Sequence, residues 1–593
     1  MQIYDIWVSL SQDKEALVFT FSWIGWGIVV LLAIMRSIWG GKLSYLEYLS
    51  LALGGWVLPI FLLSLLILAL GILLGIRFNL LTLLVLIFLS AGVATWTVNR
   101  KKNISTFNFL FALLIAALLL FLVLLRLPFL AKTLLPPYFD SAEHYRMANI
   151  LIKDYENTSL TGSFIWPVSS YYHLGYHIVV AGMTVISQVK LARLILVFGQ
   201  IILAFAPVPL FYIPWRETRS YMAGLFAVIL GTFGWYMPAH AVNWGKYPAL
   251  LGILTSLFSL NLLYLFNAGN ERPLKSRAFV GLIILSIFTS FLIHTRSIVL
   301  IGIGLLSWIL AQRWERQSKM VRLLFLGLVL IGLTGEIVYV ERNGVLNALL
   351  DPYLHDGIWI TSAISLLTII AYSKYRRFVF ACLLFILLLI LSLFIPVSSN
   401  TFFTLMDRPF IEMSLFIPLS IMGGLGFASI SKLAFFQSKF LKGAVAVLLS
   451  GLIMLHAFMK YNFYPSDCCE IVGSDDLFAL NWMDKNLPEN ALILIPSAEI
   501  KIAPAGDSPQ NAGSDAGVWI APLIGRSTIS LPYNLDFGQT DSLNKICDRK
   551  IAYIYAGSTD QSFMPEQLEQ KPDWYEIRLF LPNAKVYQVL GCA

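Results

Sequence analysis

Uninterrupted apolar runs set the limits on what this chain can become. Leu58 to Gly75 reads LPIFLLSLLILALGILLG and Phe107 to Leu125 reads FNFLFALLIAALLLFLVLL. Each run is long enough to cross a hydrocarbon core of about 30 Å as a helix. Inside hydrocarbon a backbone must satisfy its own N–H and C=O groups, so such runs fold as helices packed side by side. The 593-residue chain is 58% hydrophobic and only 13% charged. That excludes a disordered, fibrous or disulfide-scaffold protein and a water-soluble enzyme of ordinary make-up.

Apolar segments recur near residues 17–36, 46–75, 78–98, 107–131, 191–214, 220–240, 244–266, 278–295, 297–312, 321–339, 358–373, 378–396, 410–430 and 443–460. They predict an all-α polytopic membrane domain of about fourteen spans over residues 1–460. Lys and Arg gather in NRKK (Asn99 to Lys102), RETR (Arg216 to Arg219), ERPLKSR (Glu271 to Arg277), RWERQSKMVR (Arg313 to Arg322), KYRR (Lys374 to Arg377) and the stretch from Lys432 to Lys442. Positive loops stay on the cytoplasmic side, and all six clusters fall there if the amino terminus is outside. The expected location is the cytoplasmic (inner) membrane, with the carboxyl-terminal domain extracytoplasmic. Ile298 to Leu310 is short for a span, and Tyr171 to Ser187 reads as a re-entrant or surface helix. The first span has an acidic leader (Asp5, Asp13, Glu15) and no small-residue cleavage site, so no removable signal peptide is expected.

The formal charge of +8 suggests a nucleic-acid partner only until it is apportioned. Residues 1–460 hold 33 Lys and Arg against 17 Asp and Glu, whereas residues 461–593 hold 9 against 17. The basic excess belongs to the membrane domain, and no nucleic-acid partner is expected.

From residue 461 the composition becomes that of a soluble domain. Asp475 to Leu487 reads as a helix capped by Ser474 and stopped by Pro488. ALILIP (Ala491 to Pro496), STISL (Ser527 to Leu531), IAYIYAG (Ile551 to Gly557) and a hairpin over Tyr575 to Leu590 read as strands. A small C-terminal α/β domain results, with a Gly/Ser/Pro/Asp-rich loop from Pro504 to Gly517. Cys468, Cys469, Cys547 and Cys592 lie in it, as free thiols or as one or two disulfides. The adjacent pair is not expected to bond to itself, because disulfide Cα separations are usually about 4.4 to 6.8 Å.

The polar loop from Lys132 to Ser170 holds the best chemical motif. In LLPPYFDSAEHYRMANIL, Asp140, Glu143 and His144 fall at i, i+3 and i+4, on one face of a helix starting there. Such a trio suits a divalent cation, Mg or Mn, with one carboxylate left as a base. It also reads as a D-x-x-E capping box after Pro-Pro. His173 and His177 share the i, i+4 spacing, but residue 174 is Leu where a zinc protease has Glu, and no third ligand is near. Gly71 and Gly75 read as close helix packing. Arg126 and Glu336 are the charges nearest mid-span.

An acidic motif opening the first large loop, followed by YYHLGYH (Tyr171 to His177), resembles the GT-C superfamily of membrane glycosyltransferases. NWGKYP (Asn243 to Pro248), HTRS (His294 to Ser297), DRPFIE (Asp407 to Glu412), ALNWMDKNLPENALIL (Ala479 to Leu494) and Gly525-Arg526 are similar to segments of its bacterial and archaeal members, which include protein mannosyltransferase-like and aminoarabinose transferase-like enzymes. Two features depart from that pattern: many relatives carry a Pro-Pro-Gly-Tyr-His type of segment, and D-x-x-E-H replaces D-x-D.

The resemblance implies transfer of a sugar from a polyprenyl-phosphate carrier to a glycan, lipid or protein acceptor, usually with inversion. Asp140, supported by Glu143, then takes the catalytic position. The departing phosphate needs positive charge. His240, Lys246, His294, Arg296 and Arg408 all fall at outer ends of spans, on the side of Asp140, where a merely interfacial role is the competing reading for each. Lys246, His294, Arg296 and Arg408 are expected at the phosphate, with His294 and Arg408 foremost. His173, Tyr176, His177 and His240 are expected near substrate. Two other classes remain open, a transporter or flippase for a lipid-linked or small solute and a metal-independent glycan ligase or polymerase. Paired broken helices or repeated halves, marks of many carriers, are not evident.

Overall fold

A computed structural model describes residues 3–40, 42–78, 88, 92, 106–158, 164–165, 168–169, 172–268, 276–344, 346–398, 401–430, 438–500 and 510–592. The span expected at 78–98 lies almost wholly outside these residues. So do NRKK, residues 271–275 of ERPLKSR, Lys432, Tyr171 and the first part of the loop that begins at Pro504.

Among the described residues, ten helices are long and apolar enough to cross a membrane, with three shorter apolar helices at Gly175–Ser187, Tyr221–Phe233 and Arg277–Ile293. The expected spans map onto these with local breaks. The segment 46–75 divides into Tyr45–Gly55, opened by a Ser44/Glu47 capping box, and Val57–Leu74. Helix Ile358–Leu391 has non-helical backbone at Tyr375, inside KYRR, where the sequence places the boundary between two spans. The short segment around Ile298 belongs to Arg296–Glu315, whose 20 residues suffice to cross. Gly175–Ser187 has 13 residues, about 20 Å of helix, too short to cross. It is buried almost throughout, so it is an internal helix rather than a surface one.

The loop helix Tyr138–Asn157, which carries the acidic motif, is clamped to the membrane helices. A Cβ at Gly71 would lie 2.0 Å from the Tyr155 ring, so the helix Val57–Leu74 approaches here only because residue 71 has no side chain. Arg77 donates to Glu156 O at 2.9 Å and to Thr158 Oγ1 at 2.7 Å, which ties down the helix's far end.

The near end of that helix lies with the amino-terminal segment. Asp13 receives Arg193 at 2.8 and 2.6 Å, and Arg193 also donates to Thr133 O at 2.7 Å. Asp5 pairs with Lys132 and accepts from Tyr464 Oη at 2.9 Å. The acidic leader, the polar loop and the linker to the C-terminal domain therefore share one end of the bundle. Arg126, near mid-span, is buried and donates to Gln200 Oε1 at 2.9 Å.

The C-terminal domain is a mixed sheet with helices. Its longest strand, Leu492–Ile500, pairs in parallel with Ser527–Pro532 and Tyr553–Ala556 and antiparallel with Gln510–Gly513, while Lys585–Val589 joins Tyr553–Ala556 to Tyr575–Phe580 as the expected hairpin. The helix runs Ser474–Asn486. Ser474 is its first residue rather than its cap, and Asp476 receives the Gly473 N–H at 2.7 Å instead. Cys547 bonds to Cys592, with Cα atoms 5.3 Å apart. Cys468 and Cys469 are bonded to each other at the 3.8 Å Cα spacing of neighbouring residues, so the expectation that an adjacent pair stays apart is corrected. The domain packs over the loop helix: Ala142 belongs to its apolar core, the Tyr145 and Trp519 rings meet edge to face at 5.6 Å, and Tyr138 N–H donates to Cys469 O at 3.0 Å.

Candidate functional site

Beside the loop helix lies a cavity of about 160 Å³ lined by groups from five separate parts of the chain. The loop helix supplies Asp140, Glu143, His144 and Met147, and the segment before Gly175–Ser187 supplies Tyr172. Lys246, Pro248 and Ala249 come from the start of the helix Tyr247–Ala268. His294 and Arg296 lie at the junction of two apolar helices, and Asp407, Pro409, Phe410 and Met413 complete the wall. Six residues singled out from sequence, Asp140, Glu143, His144, Lys246, His294 and Arg296, thus meet around one space.

Two ion pairs organise it. Lys246 Nζ lies 2.5 Å from Asp140 Oδ2, with the side chains 26% and 20% exposed, and Arg296 Nη1 lies 3.0 Å from Asp407 Oδ2. Asp407 also caps its short helix, its Oδ1 accepting the Phe410 N–H at 2.9 Å. Burial pulls the Lys246 ammonium pKa down, but the carboxylates of Asp140 and Asp407 outweigh it and raise the pKa above the usual lysine value, so the group stays charged.

Lys246 is aimed by its backbone. Gly245 adopts φ +64, and a Cβ there would lie 2.3 Å from Ser141 Oγ. Only glycine joins the turn at 239–245 to the next helix while fitting against the first turn of the loop helix. Gly245→Ala is expected to cost at least about 1 to 2 kcal/mol for the left-handed backbone alone and to part Lys246 from Asp140. A lowered melting temperature together with lost activity in the purified variant checks this.

Two histidines, His144 and His294, line the cavity and two more, His177 and His173, pack behind them. His144 Nδ1 lies 3.1 Å from His177 Nε2, the His173 and His294 rings are 4.4 Å apart, and His294 stacks on Phe410 at 4.9 Å. Tyr176 is fully buried, with its ring 6.0 Å from His144 and stacked on Tyr247 at 6.3 Å. Burial first, then the charges of Lys246 and neighbouring His173, lowers His144 to about 3. His173 and His294 are pushed well down, again mainly by burial. These rings are neutral at physiological pH. The buried Nε2 of His173 and Nδ1 of His294 have no protein hydrogen-bond partner.

A pH dependence of stability follows. The unfolded chain protonates His144 near pH 6.5 and the folded one only near 3, so the unfolded state binds more protons between these values and stability falls as pH drops below 6.5. At pH 5 the His144 contribution to the loss is about 2 kcal/mol. Melting curves of the wild type and His144→Gln between pH 5 and 7.5 should converge toward the acid end.

Asp140, Glu143 and His144 do not fit a shared cation as folded. Asp140 Oδ2 is taken by Lys246, both Glu143 oxygens by Arg146 at 2.5 and 2.8 Å, and His144 Nδ1 by His177. Among the described residues, the group of three metal-capable side chains whose donor atoms come within 4.8 Å of one another is His240, Cys468 and Cys469, and its two sulfurs are bonded together.

No protein-family model matches the chain, and no curated protein matches it. Two crystal structures of the Archaeoglobus fulgidus oligosaccharyltransferase are similar to it over much of their length. One, tethered by a disulfide to an acceptor peptide containing the NVT sequon, is 13% identical with a TM-score of 0.40, covering 74% of this chain and 69% of that one. The other, in complex with Zn and sulfate, is 14% identical with a TM-score of 0.44, covering 79% and 72%.

Five of the expected residues do not line the cavity: His173, Tyr176 and His177 pack behind its wall, and His240 and Arg408 stand apart. His240 sits with Asn243 at 3.2 Å, Tyr236 and Trp244, beside the cysteine pair. Arg408, although flanked by Asp407 and Pro409, does not line the cavity. Asp407, Tyr172 and Phe410 do line it and were not singled out. A carboxylate directly before Arg-Pro is a helix-cap signal in sequence, which masked its second role as the partner of Arg296.

Proposed function

We propose that the protein is a membrane glycosyltransferase of GT-C type that moves a sugar from a polyprenyl-phosphate donor to a glycan, lipid or protein acceptor at the extracytoplasmic face, with inversion. The observation that carries this reading is the convergence of Asp140, Lys246, Arg296 and His294, whose Nδ1 has no protein partner, on one cavity. Asp140 takes the proton of the acceptor hydroxyl or amide. The acceptor atom bonds to the anomeric carbon from the face opposite the phosphate, and the carbon–oxygen bond to phosphate breaks with its electron pair on the phosphate oxygen. Lys246 and Arg296 hold that charge. His294, kept neutral, serves as a hydrogen-bond partner for a sugar hydroxyl with His173 packed behind it, and Glu143 supports the loop helix through Arg146. No step is assigned to Mg or Mn, because the acidic trio does not fit one.

A second feature favours a lipid-borne donor. The helices Lys319–Arg342 and Ile358–Leu391, with Leu415, Leu419 and Met422, enclose an apolar groove of about 540 Å³. Met413 faces the polar cavity and Leu415, two residues on, faces the groove, so a head group in one leaves its tail beside the other. Leu330 and Ile369 open this groove toward the lipid-facing surface.

The test is transfer of radiolabelled sugar by purified protein from polyprenyl-phosphate donors of several chain lengths. Transfer is expected, and short chains should raise KM. Solute flux in proteoliposomes without acceptor, with no transfer from any donor, would replace this reading with a transporter.

A further inference from the structure

In the folded protein the position beside Asp140 that a divalent cation would take is held by a side chain. We infer that Lys246 stands in for that cation and exchanges partners during the reaction, leaving Asp140 for the donor's phosphate so that donor binding uncovers the base. The inference rests on the glycosyl-transfer reading and adds to it an order of binding and independence from metal.

Geometry supports the exchange. Asp140 Oδ2 is occupied by Lys246 Nζ at 2.5 Å, so one of the two carboxylate oxygens is covered until the ammonium moves. The ammonium sits on a flexible four-carbon stem, while its backbone is fixed by Lys246 N–H to Ala241 O at 3.1 Å and by the turn at Gly245. Lys246 can therefore swing without moving the loop helix. Glu143 and His144 are engaged with Arg146 and His177 and do not complete a cation site. Arg296, paired with Asp407, repeats the arrangement across the same cavity.

Charge arithmetic gives the exchange a direction. Lys246 and Arg296 balance Asp140 and Asp407, and Arg146 balances Glu143, so the unloaded cavity with its ion-pair partners is neutral by formal charge. A sugar-linked polyprenyl phosphate is a diester with one negative charge. The departing monoester carries up to two, so the pull on Lys246 grows as the glycosidic bond breaks. Asp140 meanwhile becomes neutral by accepting the acceptor's proton and loses its hold on the ammonium. Both changes favour the same movement, and interactions that strengthen toward the transition state are those that speed the reaction.

Binding of decaprenyl monophosphate to the detergent-purified full chain, measured by calorimetry, tests this. Asp140→Asn loosens the hold on Lys246 and is expected to bind the phosphate about tenfold tighter than wild type, the ion pair being replaced by a weaker hydrogen bond to a neutral amide oxygen. That gain should vanish in the Lys246→Met background, and neither chelator nor added Mg or Mn should alter wild-type binding. Weaker binding by Asp140→Asn, or chelator-sensitive wild-type binding, would mean that a metal bridges Asp140 to phosphate and would overturn the inference. An equal gain with Met at position 246 would mean that Asp140 merely repels the anion, and would overturn it too. No binding by wild type removes the glycosyl-transfer reading itself, a different outcome from either. The chelator arm uses wild-type protein, so it decides the metal question whatever the stability of the variants.

Discussion

Asp140→Asn is expected to cut transfer by about 10² to 10⁴, the range that a positioned general base contributes, while melting behaviour changes little. Asparagine keeps the volume and an oxygen for Lys246. The lost ion pair is partly exposed, and such pairs contribute at most about 1 kcal/mol. Activity and stability should therefore separate. Glu143→Gln provides the internal contrast: both oxygens of Glu143 face Arg146 on the surface of the loop helix, so its loss disturbs the helix face more than the chemistry. A turnover loss for Glu143→Gln equal to that for Asp140→Asn would place the base at Glu143. Wild-type turnover in Asp140→Asn would end the assignment of this cavity as the catalytic site.

Much of this arrangement is legible in the amino-acid sequence, for identifiable reasons. In a chain this apolar, a polar loop with Asp140 and His144 one turn apart stands out, and helical periodicity alone places both on one face. Lys246, His294 and Arg296 were reachable because positive-inside counting puts them at the same ends of spans as that loop. What periodicity cannot carry is which neighbour at that level turns inward. Arg408 and Arg296 look alike in sequence, but Asp407 caps the intervening turn and pairs with Arg296. His240 shares the level of the site yet faces Asn243 and the cysteine pair. Spacing also leaves out what pairs with the acidic trio. Spacing showed three ligand types on one face, whereas Lys246 and Arg146, one of them 106 residues away, supply the countercharges. The cysteine pair is a case of local geometry: statistics over all disulfides describe distant partners poorly suited to judging neighbours.

Arg296→Ala is expected to lower kcat/KM for the donor by about 10² to 10³, the scale on which removal of one aimed charge-stabilising donor acts. The loss has two sources. The phosphate gives up one of the two cations lining the cavity, and Asp407, deprived of its partner, remains as an uncompensated negative charge facing an anionic substrate. That second effect separates Arg296→Ala from the double variant Arg296→Ala/Asp407→Asn, which should recover part of the donor affinity. Arg296→Lys should recover less than its charge suggests, because an ammonium cannot present the planar fork that serves carboxylate and phosphate together. Arg408→Ala should matter less, since its side chain does not line the cavity. Steady-state kinetics with donor varied at saturating acceptor decides among these. If Arg408→Ala costs as much as Arg296→Ala, the phosphate sits on the other side of the Asp407 turn, and Arg408 takes the role given to Arg296.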